Sequence, residues 1–193
     1  LSPEKYELNC NLAKFIPLAI IAILLIPLQT SFEEYLFRAH MMQGLGIWTK
    51  TKWIPLVVTS TLFGLMHIAN PEVEKLGHGI LTFYIGTGFF LGILTLMDEG
   101  LELALGFHAA NNLITALLVT ADWTAFQTDS IYKDISEPAL GWDVLIPVFV
   151  VYPILLFIFS KKYGWTNWKE RLFGRVMTKE EFVAINDGES NMA

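Results

Sequence analysis

The sequence predicts an all-α protein, a polytopic transmembrane helix bundle with about five helices. Hydrophobic residues make up 53% of its 193 residues, and only 17% are charged. Mean hydropathy is positive, which is unusual for a soluble domain. The alternative is a soluble helical protein with buried helices, but the chain has too little polar surface to cover one.

Five stretches that lack Asp, Glu, Lys and Arg supply the predicted spans. Each is close to the roughly 20 residues that a helix needs to cross a hydrocarbon core. Only helices and closed barrels satisfy their own backbone in lipid, and the stretches lack the strict alternation of barrel strands. The predicted spans are residues 15–32, 53–71, 79–97, 103–121 and 144–160.

Proline and glycine add detail within these spans. Pro17 and Pro27 lie in the first span, where membrane helices tolerate proline as a kink. Gly88 and Gly92 in the third span have the four-residue spacing of closely packed membrane helices. We therefore expect these two glycines to serve packing.

The spans divide the chain into three regions. Residues 1–14 form a juxtamembrane segment, 15–160 the transmembrane catalytic core, and 161–193 a cytoplasmic tail. The tail mixes aromatic with charged residues and predicts an interfacial amphipathic helix followed by a polar end. Cys10 is the only cysteine, which excludes an internal disulfide and a metal site with several cysteine ligands.

Basic residues predict the orientation. Lys and Arg accumulate on the cytoplasmic side of membrane proteins. One side would carry Lys50, Lys52, Lys161, Lys162, Lys169, Arg171, Arg175 and Lys179, and the other only Lys5, Lys14, Lys75 and Lys133. The bias places the tail in the cytoplasm. The net charge of −6 is spread over short loops, and no basic patch predicts a nucleic-acid partner.

Several polar groups lie in or beside the spans, where they are costly unless they face one another or a water-filled cavity. Glu34 and Arg38 are four residues apart and can form an ion pair on one helix face. Glu33 points about 100° away and is free for another role. The three residues could instead mark a membrane interface, but hydrophobic residues continue on both sides, which favours a functional role.

Two histidines add to this set. His67 lies near the end of the second span, with Phe63 one turn before it, and His108 lies near the start of the fourth. Asn112 lies one turn beyond His108, so the two side chains can donate toward one point. A single histidine in a membrane often only bridges helices. Two carboxylates, two imidazoles, an arginine and an amide together indicate a hydrolytic site. His40, His78 and Asn111 are expected to be incidental to it.

In this order, Glu33-Glu34-x-x-x-Arg38, Phe63-x-x-x-His67 and His108-x-x-x-Asn112 resemble the three motifs of the CPBP intramembrane proteases. That family includes the type II CAAX prenyl endopeptidases and the Abi bacteriocin-immunity proteins. The resemblance extends from about residue 15 to residue 120. It implies that the chain is the C-terminal part of an eight-helix fold and an integral protein of a prokaryotic plasma membrane.

The resemblance also implies a mechanism. Glu33 would be the general base that activates a water together with His67. Glu34 and Arg38 would hold the site together, and His108 and Asn112 would stabilise the oxyanion. The substrate would be a peptide or protein, either prenylated or otherwise associated with the membrane, and no cofactor is required. A zinc ion held by Glu33, Glu34, His67 and His108 is the rival mechanism, although the chain contains no His-Glu-x-x-His motif.

Two functions of other classes stay open at this point. A membrane protein that only binds or sequesters a peptide would not need a base and an oxyanion site. A proton-coupled transporter would use the buried acids as a relay, but transporters usually contain internal repeats, and the sequence shows none.

Overall fold

Helices account for most of the chain between Leu12 and Phe173. The computed structural model describes residues 3–178, 180, 181 and 183. Lys179 and residues 184–193, which include the polar end of the predicted tail, lie outside the described residues. The α-helices are α1 (Leu12–Glu34), α2 (Met42–Thr49), α3 (Trp53–Leu65), α4 (Pro71–Leu76), α5 (Leu81–Asp98), α6 (Glu102–Leu118), α7 (Trp142–Ile146), α8 (Tyr152–Tyr163) and α9 (Trp168–Phe173).

Within the described residues, three helical stretches are long and apolar enough to cross a membrane. They are Leu12–Thr49, His78–Asp98 and Val144–Tyr163, and they contain the first, third and fifth predicted spans. The other two predicted spans correspond to α3, a shorter apolar helix, and to α6. The predicted all-α polytopic fold is confirmed.

The first membrane helix extends well beyond its predicted end. It continues from α1 through a π-helical segment, Tyr35–Met41, into α2 without a break. Lys50 then ends it with a left-handed backbone, φ 59°. The expectation that Glu33, Glu34 and Arg38 lie inside a helix rather than at its end is confirmed. Single π-helical turns often mark functional sites.

The second predicted span is too long. Helix α3 ends at Leu65, whereas the uncharged stretch continues to residue 71. Residues 66–69 form turns, and Pro71 prevents a helix from continuing through Asn70, because a residue that precedes proline avoids helical geometry. Asn70 has ψ 147°, and Pro71 begins α4 as its first residue, a position that proline favours.

A small sheet closes one end of the bundle, and the sequence did not predict it. Its strands are β1 (Tyr6–Leu8), β2 (Val119–Ala121) and β3 (Tyr132–Asp134), in the order β1-β3-β2. Strand β1 pairs antiparallel and β2 parallel with β3. The end of the fourth predicted span therefore forms β2 instead of helix. We call this end of the bundle, where α1 begins and α6 ends, the sheet end.

Close packing of α3 on α5 forms the centre of the bundle. A Cβ atom at Gly88 would lie 2.6 Å from Ser60 O, and one at Gly92 would lie 2.6 Å from Leu56 Cδ1. A side chain at Gly88 would collide with the Ser60 backbone and force the helices apart, whereas one at Gly92 would displace the end of the Leu56 side chain. Both glycines lie in the helix contact, as predicted. This contact sets the distance between two helices that both contribute to the site described below.

The opposite end, which we call the tail end, holds the segment after α8. Trp165 is buried, and its Nε1 donates to Asp98 Oδ1 at 3.0 Å. Lys52 N donates to Gly174 O at 3.1 Å, and Thr51 forms a β-bridge with Arg175. The short helix α9 follows Trp165. The segment after α8 thus packs at the same end of the bundle as Lys50 and Lys52. The predicted orientation places the basic residues of both regions on one side of the membrane.

The sheet end and the tail end are expected to label from opposite sides of a membrane. In a Cys10→Ser background, a cysteine placed at Lys133 should react only with an outside reagent, and one placed at Lys169 only with an inside reagent. Membrane-impermeant maleimides on intact cells and on inverted vesicles measure this. The native Cys10 is exposed beside the sheet and serves as a control for position 133. Labelling of both positions from one side would contradict the topology.

Candidate active site

The buried carboxylate of Glu34 lies at the centre of the polar cluster. Its side chain has no exposed surface, and neither has that of Arg38. Glu34 Oε1 lies 2.8 Å from His108 Nδ1 and 3.3 Å from Arg38 Nη1. The predicted ion pair between Glu34 and Arg38 is therefore present, and His108 joins it from α6.

Arg38 connects this carboxylate to two further helices. Its Nη2 donates to Gly88 O on α5 at 3.0 Å. Its guanidinium carbon lies 4.4 Å from the centre of the Phe63 ring on α3, within the range of a cation–π contact. Arginine suits this position because its planar group donates in several directions while one face stacks on a ring.

Glu33 has a different environment from Glu34, as expected for adjacent helical residues. Its side chain is 14% exposed, and Oε2 lies 3.8 Å from His108 Nε2. Its other oxygen, Oε1, accepts a hydrogen bond from Gln29 Nε2, one turn earlier in α1. Glu33 therefore lies at the accessible edge of the cluster, outside the buried ion pair.

His108 and Asn112 contact each other on α6. Asn112 Nδ2 lies 3.3 Å from His108 Nε2, while the other ring nitrogen faces Glu34. The expectation was that both side chains donate to one external point, whereas here they form a mutual contact. Asn111 donates to Asn112 Oδ1 at 3.2 Å and is exposed. Nε2 of His108 and Nδ2 of Asn112 still lie side by side, and Nε2 faces Glu33 Oε2 at 3.8 Å.

His67 lies beyond the end of α3, in the turn before α4. Its Nδ1 lies 2.9 Å from Phe63 O. The Phe63 ring centre is 5.4 Å from that of His67 and 5.7 Å from that of His108, so one phenyl ring contacts both imidazoles. No nitrogen of His67 lies within 4.0 Å of a Glu33 or Glu34 oxygen in the described chain. His67 is therefore near the cluster without direct contact to its carboxylates.

The structure adds three polar residues that the sequence reasoning missed. Gln29 could have been found, because it is a lone amide in the first span one turn before Glu33. Tyr84 stacks on His67, and Glu72 accepts a hydrogen bond from its hydroxyl. These two gave no signal, because neither belongs to a motif and no periodicity relates them to His67. His40 and His78 are exposed, as expected of incidental residues.

Among the described residues, no three or more His, Cys, Asp or Glu side chains are arranged to hold a metal ion. Glu34 Oε1 is already engaged by Arg38 and His108, and His67 Nδ1 by a backbone carbonyl. The four residues suggested as zinc ligands therefore do not converge on one point in this arrangement.

Comparison with known proteins adds the family. A family model described as type II CAAX prenyl endopeptidase Rce1-like matches residues 12–114. The protein YyaK of Bacillus subtilis (strain 168), described as uncharacterized, is 34% identical over 121 residues, which cover 62% of this chain. The chain spans about 40% of the length of that relative. No solved structure matches the chain.

Breaking the buried ion pair is expected to destabilise the bundle. Glu34→Gln or Arg38→Ala leaves the partner charge buried and unpaired, which typically costs about 3–5 kcal/mol of the free energy of unfolding. Thermal unfolding of the detergent-solubilised protein measures the loss. The matched control is Asp129→Asn, which breaks the exposed pair of Lys14 and Asp129 and should cost at most about 1 kcal/mol. Equal melting temperatures for all these variants would contradict a structural role of the buried pair.

Proposed function

Because the chain belongs to the family of Rce1-like type II CAAX prenyl endopeptidases, we propose that it hydrolyses peptide bonds at this site with a water activated by Glu33 and His67. It is an integral membrane protein, as its family and its apolar helices indicate. The proposal rests on one observation, which is that two of the three motifs supply side chains to a single cluster. These side chains are Glu33, Glu34, Arg38, His108 and Asn112.

Glu33 is the proposed general base. A general base must be reached by water, and the Glu34 side chain has no exposed surface, with its Oε1 engaged by Arg38 and His108. Glu33 lies beside that pair with a partly exposed carboxylate. It is fixed at one oxygen by Gln29, so that the other is available toward His108 Nε2. General-base catalysis requires this combination of access and fixed geometry.

His67 is the proposed second contact of the water. The nitrogens of His67 lie more than 4.0 Å from the Glu33 oxygens, too far for a direct hydrogen bond. In the proposed mechanism the reacting water bridges the two side chains. With Nδ1 on Phe63 O, the nitrogen that remains for the water is Nε2. The water would then be oriented by a carboxylate on one side and an imidazole on the other.

His108 and Asn112 are the proposed oxyanion donors. Their nitrogens, Nε2 and Nδ2, are neighbours at 3.3 Å, and His108 Nε2 lies 3.8 Å from Glu33 Oε2. In this role His108 would donate from Nε2 while Nδ1 stays on Glu34. Donors that are placed before the reaction stabilise the developing charge without reorganisation, and one such donor is typically worth 10²–10³-fold in rate.

Glu34 and Arg38 are proposed to position these groups without touching the substrate. Glu34 fixes the His108 ring through Nδ1, and Arg38 compensates the Glu34 charge. Adjacent residues of one helix thus take two roles, because the helix directs one carboxylate inward and the other to the accessible edge.

The proposed substrate is a peptide or protein held at the membrane. The family description names CAAX prenyl endopeptidases, so a prenylated C-terminal peptide belongs in the test panel. The same peptide without the prenyl group, and a membrane peptide of unrelated sequence, complete it. Cleavage of the prenylated member alone would assign the narrow specificity.

Glu33→Gln is expected to abolish turnover, a loss of about 10²–10⁴-fold or more, because it removes the basic carboxylate but keeps its shape. Its melting temperature should match the native one, since Glu33 is outside the buried ion pair. Peptide cleavage and thermal unfolding are measured on the same samples, with Glu74→Gln on the exposed face of α4 as the control. Normal cleavage by Glu33→Gln, or a Glu34→Gln variant that is stable and inactive, would show that the base is misassigned.

Hydrolysis by the purified protein is expected to persist after treatment with a chelator. The reason is that the suggested ligands do not converge and that Glu34 and His67 are engaged with protein groups. Cleavage rates are compared before and after dialysis against a chelator, with metal content measured in parallel. Loss of activity that stoichiometric zinc restores would replace the glutamate mechanism with a metal one.

A further inference from the structure

A tyrosine on α5 stacks against His67. The rings of His67 and Tyr84 lie parallel, with an interplanar angle of 12° and 4.1 Å between their centres. This is face-to-face contact over the ring area. Tyr84 is distant from His67 in sequence and belongs to none of the three motifs.

The Tyr84 ring is itself held at its far end. Its hydroxyl donates to Glu72 Oε1, which also accepts from Asn70 Nδ2 at 3.0 Å. The second oxygen, Oε2, accepts the backbone N–H of Ala125 at 2.9 Å. Glu72 is buried, with 6% of its surface exposed. A carboxylate in such a place must be hydrogen-bonded, and here both oxygens are.

The hydrogen bonds to Glu72 favour its charged form. Burial raises the pKa of this carboxyl, but the bonds from Tyr84, Asn70 and backbone N–H groups outweigh burial and hold the pKa below its ordinary value. A charged acceptor forms a stronger hydrogen bond than a neutral one. The tyrosine hydroxyl is therefore tied to a fixed anion at the sheet end of the bundle.

His67 needs such support because it is outside a helix. Helix α3 ends at Leu65, so the backbone of the following turn does not fix the direction of the His67 side chain as a helix would. The groups that hold its ring are Phe63 O at Nδ1, the Phe63 ring and the face of Tyr84.

We propose that Tyr84, anchored by Glu72, is a positioning residue that fixes the plane of the His67 ring for activation of the water. This inference rests on the proposed function, because it assigns His67 a part in catalysis. Tyr84 does not contact the reacting atoms. It acts by restricting a ring whose nitrogen must point at the water to within a small angle.

The test compares Tyr84→Leu, Tyr84→Phe and Glu72→Gln with a matched stack elsewhere on α5. Tyr152 stacks on Phe90 with 4.4 Å between ring centres at 14°, and its hydroxyl contacts Thr87 Oγ1 at 2.9 Å. Tyr152 also combines a parallel ring stack with a hydroxyl contact, and neither Phe90 nor Thr87 is one of the proposed site residues. Tyr152→Leu is therefore the control for loss of a buried stacked tyrosine.

Tyr84→Leu is expected to lower kcat by about 10²-fold with little change in KM, since misplacement of a reacting group by about 1 Å costs that much. Tyr84→Phe keeps the stack but loses the hydroxyl that Glu72 anchors, so its kcat should lie between those of Tyr84→Leu and the native protein. Glu72→Gln keeps an oxygen acceptor for the hydroxyl and should lose no more than Tyr84→Phe. Tyr152→Leu should lower the melting temperature at unchanged kcat. Unchanged kcat in Tyr84→Leu, or equal kcat losses in Tyr84→Leu and Tyr152→Leu, would overturn the inference.

A measurement without substrate separates this inference from the proposed function. Stacking shifts the ring-proton resonances of His67 upfield, and the His67→Gln variant assigns them. The shift should persist in Tyr84→Phe and Tyr152→Leu and disappear in Tyr84→Leu. A native protein that cleaves no peptide would refute the proposed function. Absence of the shift in the native protein would refute the positioning of His67 by Tyr84.

Discussion

The rest of the structure depends on the compensation of one buried charge, the Glu34 carboxylate. A carboxylate taken out of water into the interior of a membrane protein is strongly unfavourable unless opposite charge and hydrogen bonds surround it. Arg38 and His108 provide them, both at Oε1. Because Arg38 also donates to Gly88 and covers Phe63, this one charge determines how α1, α3, α5 and α6 meet. The site can therefore form only where the bundle is assembled.

The packing of α3 on α5 serves the same interaction. Arg38 reaches the carbonyl of Gly88, and that glycine also allows the closest approach to Ser60. A larger residue at this position would separate the helices and move the carbonyl that Arg38 requires. Gly88, which the sequence predicts to serve helix packing, thus also places the carbonyl that accepts a hydrogen bond from Arg38.

Whether a contact could be predicted from the sequence depends on how far apart its two residues lie along the chain. Glu34 and Arg38 lie on one helix, where a spacing of four residues places them together, so their ion pair was predictable. The resemblance to a family grouped the motifs from other helices. The contact of Tyr84 with His67 and the anchor at Glu72 were not predictable, because no periodicity relates them and Glu72 resembles a surface acid after a proline. Strands of three residues are likewise too short to give an alternating pattern.

The imidazole rings of His67 and His108 are both held in a fixed orientation, but by different groups. His108 lies within α6, where the helix directs its side chain and a single carboxylate then fixes its ring. His67 lies in a turn, where the backbone provides less constraint, and its ring is held by a carbonyl and two aromatic faces. The tyrosine that provides one of those faces needs an anchor of its own, and Glu72 supplies it from α4. The precision of the site at His67 thus depends on the sheet end of the bundle, whereas its precision at His108 depends on the buried charge.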